Sequence, residues 1–380
     1  MDLQLSEEHL MLRKTVREFA ETELAKDAKE RDIQERFPDE QVRKMAELGF
    51  LGIEVDPKYG GGGMDTISYV ILMEELSRVD ASAGVICSVN NSLFCYGLEK
   101  FGTEAQKQKY LVPTAKGEKL GAFALSEPST GSDASNLQTT AVRQGNEWVL
   151  NGTKNFITNG AHAEHFLVFA TEDKSAGYKG VRCLLVERSA PGFKVGKKEK
   201  KLGIRSSDTV SLIFDNCRVP LENLLGEPQH GFRIALSILD AGRIGIAAQA
   251  LGIAVGAFDA AVQYAKERQQ FGQRLANFQA IQFMLAEMDT RIQAARLLIY
   301  DAALRKDRGE NFEAAASRAK LYASETAMFC ADRAVQIHGG YGYIRDYPVE
   351  RYLRDAKITE IYEGTSEIQK LVIARNIIGK

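Results

Sequence analysis

The sequence has few of the residues that mark several large classes of protein. Its 380 residues include only five cysteines and eight prolines. The cysteines, at positions 87, 95, 183, 217 and 330, form no C-x-x-C pair and are odd in number, which argues against a disulfide framework. The low proline content, together with 44% hydrophobic residues, excludes a disordered or low-complexity chain. We therefore expect a globular protein with free, buried thiols.

An excess of charge of one sign is also missing. The 49 basic and 51 acidic residues leave a net charge of -2, so the chain lacks the basic field that holds nucleic acid through counterion release. The first ten residues, MDLQLSEEHL, contain neither the basic nor the apolar region of an export signal. No window approaches the ~18 uncharged apolar residues that a membrane-spanning helix needs. The sequence predicts a cytoplasmic protein with no nucleic-acid partner and no membrane span.

Several common catalytic and cofactor motifs are absent from the sequence. There is no H-E-x-x-H, no P-loop and no G-x-S-x-G, and the five histidines show no metal-ligand spacing. The glycine run at residues 60–63 fails as a dinucleotide fingerprint because the sixth position falls on Asp65 and no βαβ unit surrounds it. Metal, acyl-serine and Rossmann-type chemistry are therefore disfavoured.

The hydrophobic pattern divides the chain into three parts, as its length also suggests. Residues 1–125 predict an N-terminal α-helical domain. Residues 126–230 contain short β-rich runs at 165–171, 181–187 and 209–214 without crossover helices, which favours an antiparallel barrel or sandwich. Residues 231–380 predict a helix bundle, with long helices near 232–268, 276–307 and 311–338.

Four segments combine residue types that could bind a ligand or catalyse a reaction. They are ALSEPSTGSD at 124–133, KNFITNG at 154–160, QIHGGYGY at 336–343 and IYEGTSE at 361–367. The first offers hydroxyls and free backbone N–H groups to phosphate or polar ring edges. Taken singly, the four are also explained as a turn-rich linker, a core strand, a helix end and a solvated loop carboxylate.

Together and in this order, the four segments closely resemble the acyl-CoA dehydrogenase family over nearly the whole chain. The most specific parts are ALSEPSTGSD and the stretch from Gln336 through Arg351, Asp355 and Lys357 to Glu367. The resemblance is closest to the short-chain, or butyryl-CoA, branch. It implies a homotetramer that holds FAD between the β domain and the C-terminal bundle, oxidises acyl-CoA and passes electrons to an electron-transfer flavoprotein.

The resemblance also assigns residues to the cofactor. Those that would wrap the flavin ring and ribityl chain are Phe123, Leu125, Ser126, Ser132, Phe156, Ile157 and Thr158. Phe156 stands where the family more usually has tryptophan, which keeps an aromatic face but loses an indole N–H. Arg268 matches an arginine that reaches a neighbouring subunit's FAD. The residues that would assist it are Gln279, Gln336, Ile337, His338, Gly339 and Gly340, and those that would add further contacts are Thr365, Ser366 and Glu367.

Dehydrogenation of a thioester requires a base for the α-proton, polarisation of the carbonyl and a hydride acceptor beside the β-carbon. The resemblance assigns the base to Glu363, whose pKa we expect a bound acyl chain to raise by desolvation. The Glu363 backbone N–H and a ribityl hydroxyl of FAD would polarise the carbonyl, and flavin N5 would accept the hydride. The residues assigned to the substrate are Ser132, Asp240, Arg243 and Gly364.

Some branches of the family place the catalytic glutamate on the first C-terminal helix instead. This chain has Gly242 at that position, and glycine cannot act as a base, so the assignment stays with Glu363. Three alternatives remain open: preference for branched or medium chains, operation as an enoyl-CoA reductase, and a flavin-binding scaffold without turnover. Intact Glu363, Arg243 and Arg268 argue against the scaffold.

Overall fold

The chain passes through a helical region, a β-sheet and a second helical region in the computed structural model, which describes residues 4–379. The helices of the first region are α1 (Glu7–Phe19), α2 (Ala28–Gln34), α3 (Asp39–Glu47), α4 (Thr66–Val79), α5 (Ala81–Ser88), α6 (Tyr96–Phe101), α7 (Glu104–Gln106) and α8 (Val112–Ala115). Helix α1 starts at Ser6, whose hydroxyl accepts from the His9 N–H. Of the ten N-terminal residues discussed above, the first three lie outside the described residues.

A single seven-stranded sheet follows. Its strands are β1 (Gly121–Ala124), β2 (Thr140–Gln144), β3 (Glu147–Thr158), β4 (His165–Thr171), β5 (Val181–Glu187), β6 (Phe193–Lys198) and β7 (Thr209–Pro220). They are ordered β1-β4-β2-β3-β7-β6, with β5 also paired to β4. The three β-rich runs predicted from the sequence are confirmed as β4, β5 and the first half of β7.

The sheet differs from a purely antiparallel one. Strand β1 pairs with β4 in parallel register, from Gly121 opposite His165 to Ala124 opposite Val168, and β2 meets the end of β4 in the same sense. Parallel neighbours need a long connection, and residues 125–164 supply it with β2 and β3 in place of a helix. The sheet also starts before residue 125, where the sequence pattern still favoured helix.

The second helical region is the predicted bundle. Its helices are α9 (Gly231–Glu267), α10 (Gln279–Asp307), α11 (Glu313–His338), α12 (Val349–Ile358) and α13 (Ser366–Ile378), and a short hairpin of β8 (Gln269–Gln270) and β9 (Gln273–Arg274) follows α9. Helix α9 packs against α11 on one side and α4 on the other. A side chain added at Gly245 or Gly252 would overlap Tyr69 or the Glu74 carbonyl of α4, so small residues allow this close approach.

Helix α9 is the long apolar helix of the bundle. With its preceding turn it spans 40 residues, Pro228–Glu267, and has a window of mean hydropathy 1.6, long and apolar enough to cross a membrane by those measures alone. Asp240, Arg243 and Asp259 interrupt it, so it contains no run of ~18 uncharged residues. Since 78% of that window is buried inside the protein, α9 is the central core helix. All five cysteines are free and buried, as predicted.

Candidate active site

Glu363 lies in the turn that joins α12 to α13. Its backbone is left-handed, with φ of +52°, and Gly364 follows with φ of +95°. A non-glycine residue in this region is strained and persists only where its surroundings hold it. The turn therefore places the Glu363 side chain by contacts with other elements rather than by its own preference.

The Glu363 carboxyl points into the protein instead of towards solvent. Its Oε2 atom is buried and has no hydrogen-bond partner among residues 4–379. Burial raises the pKa of Glu363 to about 7, while the positive charges of Lys320 and Arg243 act in the opposite direction. A bound acyl chain was expected to cause this rise, but the protein's own packing already produces it.

Helix α9 reaches the same point in space from the other side. A Cβ added at Gly242 would overlap Glu363 Oε2 and crowd the Leu93 side chain. A carboxylate carried by position 242 would therefore compete for the place that the Glu363 carboxylate occupies. The absence of a side chain at Gly242 makes room for Glu363.

The backbone N–H of Glu363 is available for a ligand. Across the described part of the chain, no acceptor is bonded to this N–H, whereas the neighbouring Tyr362 N–H donates to the Ile358 carbonyl at 3.1 Å. The Tyr362 hydroxyl donates to Gln249 of α9, whose amide donates to the Ala81 carbonyl at 2.8 Å. The turn thus presents a carboxylate and a free N–H together while its neighbour is fixed to α9.

Arg243 and Asp240 form an ion pair on α9, at 2.6 Å. Arg243 is buried and also donates to Ser317 of α11 at 3.3 Å. Burial raises the pKa of Asp240 to about 6, against the effect of Arg243. Both residues were assigned to the substrate by resemblance, but only Asp240 keeps appreciable contact with solvent.

A second group of predicted residues lies in and after β1 and near the end of β3. Phe156 is 66% exposed and has φ of +60°, so β3 turns its ring outwards. The hydroxyls of Ser126, Ser132 and Thr158 have no partner within the described ranges. An exposed aromatic face on β3, with free hydroxyls on the same strand and on the loop after β1, fits a flat ring with polar edges, such as a flavin.

Three other members of that group are less open. Leu125 and Ile157 pack into the hydrophobic core, so a bound ring would meet their backbone. Phe123 is half-buried, with its ring 5.0 Å from that of Phe169.

A buried ion pair, which sequence reasoning missed, holds the loop that carries Ser126. Lys154 Nζ donates to the Leu125 carbonyl at 2.9 Å and to the Glu127 carboxylate at 2.7 Å. Glu127 in turn accepts from the Thr139 N–H at 3.0 Å. Burial lowers the pKa of Lys154 to about 8, with Glu127 acting in the opposite direction. A lysine inside a strand carries no recognisable motif, so only its burial reveals this role.

Arg268 lies in a separate, open cleft of about 540 Å³ between the hairpin and the end of α11. The lining residues are Tyr264, Arg268, Gln270, Leu275, Ile337, His338, Gly339, Gly340, Tyr341 and Ile344. The structure thus brings Arg268 together with four of its predicted partners. Gln279 and Gln336 are exposed nearby and do not line the cleft. No lining residue belongs to the sheet.

His338 gives the cleft a buried acceptor. Its ring stacks on Tyr264 with centroids 4.2 Å apart, and Nδ1 donates to the Ala334 carbonyl at 2.8 Å. Burial lowers the pKa of His338, so Nε2 is an unprotonated acceptor, and it has no partner within residues 4–379. An aromatic wall, an arginine and an acceptor nitrogen suit a nucleotide.

The start of α13 contains the remaining predicted residues. The Thr365 hydroxyl is the N-cap and accepts from the Ile368 N–H at 3.3 Å. Ser366 Oγ is buried without a partner in the described chain, and Glu367 is exposed. The Ser366 hydroxyl, unlike that of Thr365, is therefore not used within the protein.

Three family descriptions match consecutive parts of the chain. The N-terminal domain of acyl-CoA dehydrogenase matches residues 6–118, the middle domain residues 122–217 and the C-terminal domain residues 229–378. Among curated proteins, a short-chain specific acyl-CoA dehydrogenase of Clostridium acetobutylicum is 52% identical over 99% of this chain and all of the relative. An NADH-dependent acryloyl-CoA reductase of Anaerotignum propionicum is 48% identical over 100% of this chain and 96% of its own.

Solved structures agree with these relatives. Butyryl-CoA dehydrogenase of Megasphaera elsdenii superposes with a TM-score of 0.98 at 47% identity, with full coverage of both chains. A chain from a study of the electron transferring flavoprotein of Acidaminococcus fermentans gives a TM-score of 0.99 at 51% identity, also with full coverage of both. The three-part fold predicted from the sequence is thereby confirmed.

Proposed function

The chain belongs to the acyl-CoA dehydrogenase family, and we propose that it dehydrogenates short-chain acyl-CoA thioesters to trans-2-enoyl-CoA with FAD as its cofactor. The single observation that carries this proposal is the buried, unpartnered Glu363 carboxylate beside a free Glu363 N–H. A base and a hydrogen-bond donor at one turn are what removal of a thioester α-proton requires.

Glu363 removes the α-proton, because its pKa of about 7 leaves much of the carboxyl ionised at neutral pH and basic enough to hold the proton afterwards. The Glu363 N–H donates to the thioester oxygen and stabilises the negative charge that develops there. Asp240 contributes to binding of the CoA side, and Arg243 fixes Asp240 through their ion pair. Gly364 gives the turn the left-handed conformation that presents both groups.

The residues of β3 and of the loop after β1 would hold the cofactor. Phe156 would offer an aromatic face to its ring, and the hydroxyls of Ser126, Ser132 and Thr158 would offer hydrogen bonds to its polar groups. Arg268, with His338 and the glycines beside it, would hold the pyrophosphate and adenosine part of a cofactor shared with a neighbouring copy. When bound, FAD supplies the hydride acceptor.

We also propose that the protein assembles as a homotetramer and that its partner is an electron-transfer flavoprotein. Because the Arg268 cleft contains no residue of the sheet, a complete cofactor site needs two copies of the chain, in keeping with a homotetramer. Electrons then pass to an electron-transfer flavoprotein, a protein named in the study of the 51% identical chain. We place the protein in the cytoplasm and propose three domains that follow the predicted 1–125, 126–230 and 231–380, with the first boundary moved to residue 121 so that β1 stays with its sheet.

A second candidate function is the reverse reaction, reduction of a short enoyl-CoA. The 48% identity to an acryloyl-CoA reductase favours it specifically. The same base and donor serve both directions, since Glu363 would then return a proton to the α-carbon.

Spectroscopy of the purified protein tests the proposal. We expect a yellow protein whose flavin absorbance is bleached by butyryl-CoA faster than by octanoyl-CoA or isovaleryl-CoA, and steady turnover when electron-transfer flavoprotein is added. Turnover of acryloyl-CoA or crotonyl-CoA with NADH, without bleaching by butyryl-CoA, would favour the reductase instead. A colourless protein that binds no FAD would contradict both.

A further inference from the structure

Lys320 of α11 is a buried lysine beside the catalytic turn, and neither the family motifs nor the proposed mechanism uses it. Its side chain is 0% exposed, and Nζ donates to the Gly364 carbonyl at 2.6 Å. The amide of Gln369, also fully buried, donates to the same carbonyl at 2.9 Å. Two donors from different helices therefore hold the residue that follows Glu363.

The charge of Lys320 has no ion-pair partner. Within residues 4–379, no carboxylate lies within 4.0 Å of Nζ, and the one hydrogen bond is to a neutral carbonyl. Arg243 differs, because Asp240 neutralises it at 2.6 Å. An unpaired ammonium is costly to bury, so a lysine at this position is not explained by packing alone.

The charged groups around the turn come from four elements. Arg243 faces Glu363 from α9 and Lys320 faces it from α11, while Glu360 and Glu367 approach Lys320 from either side of the turn. Glu360 is paired with Lys357 at 2.6 Å, and Glu367 is exposed. Of the two cations that face Glu363, Arg243 is paired with Asp240. Lys320 therefore supplies the positive charge near the base that no carboxylate pairs with.

We propose that Lys320 is a positioning residue for the base: it fixes the Gly364 carbonyl and places a positive charge behind Glu363, so that the carboxylate is both held in reach of the substrate and ionised near neutral pH. The inference rests on the dehydrogenation proposed above. Burial lowers the pKa of Lys320 to about 8, with Glu363 acting in the opposite direction, so the lysine is still mostly charged at pH 7.

The pH dependence of kcat/KM for butyryl-CoA tests this role in the FAD-loaded enzyme. Lys320→Met removes both the positive charge and the hydrogen-bond donor. Lys320→Gln removes the charge but keeps a polar side chain, and it serves as the test variant if Lys320→Met does not fold. In both we expect the acid limb to move to higher pH by about one unit, because an opposite charge nearby lowers a carboxyl pKa. KM should change by less than about threefold, since Lys320 lies behind the turn.

Lys201→Met is the matched control. Lys201 is a partly buried lysine that donates to a backbone carbonyl, that of Ser207, at 2.6 Å, and burial lowers its pKa to about 8. Its removal should reduce stability without moving the acid limb. Lys320 variants whose acid limb stays at the wild-type pH would overturn the inference and leave the function intact. A wild-type enzyme that butyryl-CoA does not bleach would instead remove the proposed function.

Discussion

The Glu363 turn and the Arg268 cleft differ in how complete they are within one chain. Glu363 is surrounded by α9, α11 and α13 of its own chain, its Oε2 is buried, and burial raises its pKa against the effect of Lys320 and Arg243. Arg268 is exposed in an open cleft that contains no residue of the sheet. Under the proposed function, proton removal would be built into each chain, whereas cofactor binding would be shared between copies.

Removing the base should have the largest effect. Glu363→Gln keeps the size of the side chain, so FAD should still bind, but the rate of flavin bleaching by butyryl-CoA should fall by about 10³-fold, within the usual range for loss of a general base. Stopped-flow absorbance measures the rate directly. Undiminished bleaching would remove Glu363 from the mechanism.

Displacing the base without removing it should cost less. In Gly242→Ala the new methyl group would overlap Glu363 Oε2, and a shift of about 1 Å in a catalytic group can reduce the rate by roughly 10²-fold.

Gly252→Ala is the control for that substitution, because it adds the same methyl to α9 where the crowded neighbour is the Glu74 carbonyl. Both variants should be less stable, but only Gly242→Ala should lose bleaching rate at saturating substrate. Equal losses in the two variants would argue against convergence on Glu363.

Substitution of Arg268 tests whether the Arg268 cleft contributes to FAD binding. Arg268→Met should weaken FAD binding by about 10- to 100-fold, the value of a charged hydrogen bond to phosphate. Excess FAD should restore the bleaching rate, because the Glu363 turn is untouched. Equilibrium dialysis or fluorescence of free FAD measures the affinity.

Mixed assemblies sharpen this prediction. If Arg268 serves a neighbour while Glu363 serves its own chain, then co-assembled Glu363→Gln and Arg268→Met chains contain one fully intact site for each such pair. At FAD concentrations too low for Arg268→Met alone, the mixture should be more active than either parent. No recovery would place Arg268 and Glu363 in the same site.

The smallest effect is expected at Phe156. Phe156→Ala removes an exposed ring and should weaken FAD binding by roughly tenfold, since aromatic contacts contribute about 0.5–1.5 kcal/mol. Phe156→Trp should bind FAD as well as the wild type or slightly better. Titration of the apoprotein with FAD compares the three, and equal affinities would mean that the ring does not stack on the flavin.

Much of the fold could be predicted from local pattern. Strands β4 and β5 and the long helices α9 to α11 appear within a few residues of their expected bounds, because alternation and helical spacing are local properties. The parallel pairing of β1 with β4 joins residues about 40 positions apart, and no local pattern specifies such a partner.

The candidate site, too, could be predicted from the sequence only in part. Taken by itself in the sequence, Glu363 looked like an ordinary solvated carboxylate on a loop. Its role as the base was predicted from the family resemblance, and only the structure showed that it is buried. The overlap of Gly242 with Glu363 depends on how two distant helices pack. One feature of the sequence could have pointed to Lys320. At helical spacing it shares a buried face of α11 with Ala316, Ala323 and Ala327, and a charged residue is unusual on such a face.

The central claim is that Glu363 takes the α-proton with a pKa raised by burial to about 7. The most direct test is single-turnover bleaching by butyryl-CoA and its α-deuterated form, measured from acid to alkaline pH. The account predicts slower bleaching of the deuterated substrate and a rate that rises through a group titrating near pH 7, absent in Glu363→Gln. A bleaching rate that is the same for the deuterated substrate, or that titrates at the ordinary pH of an exposed carboxylate, would contradict this role of Glu363.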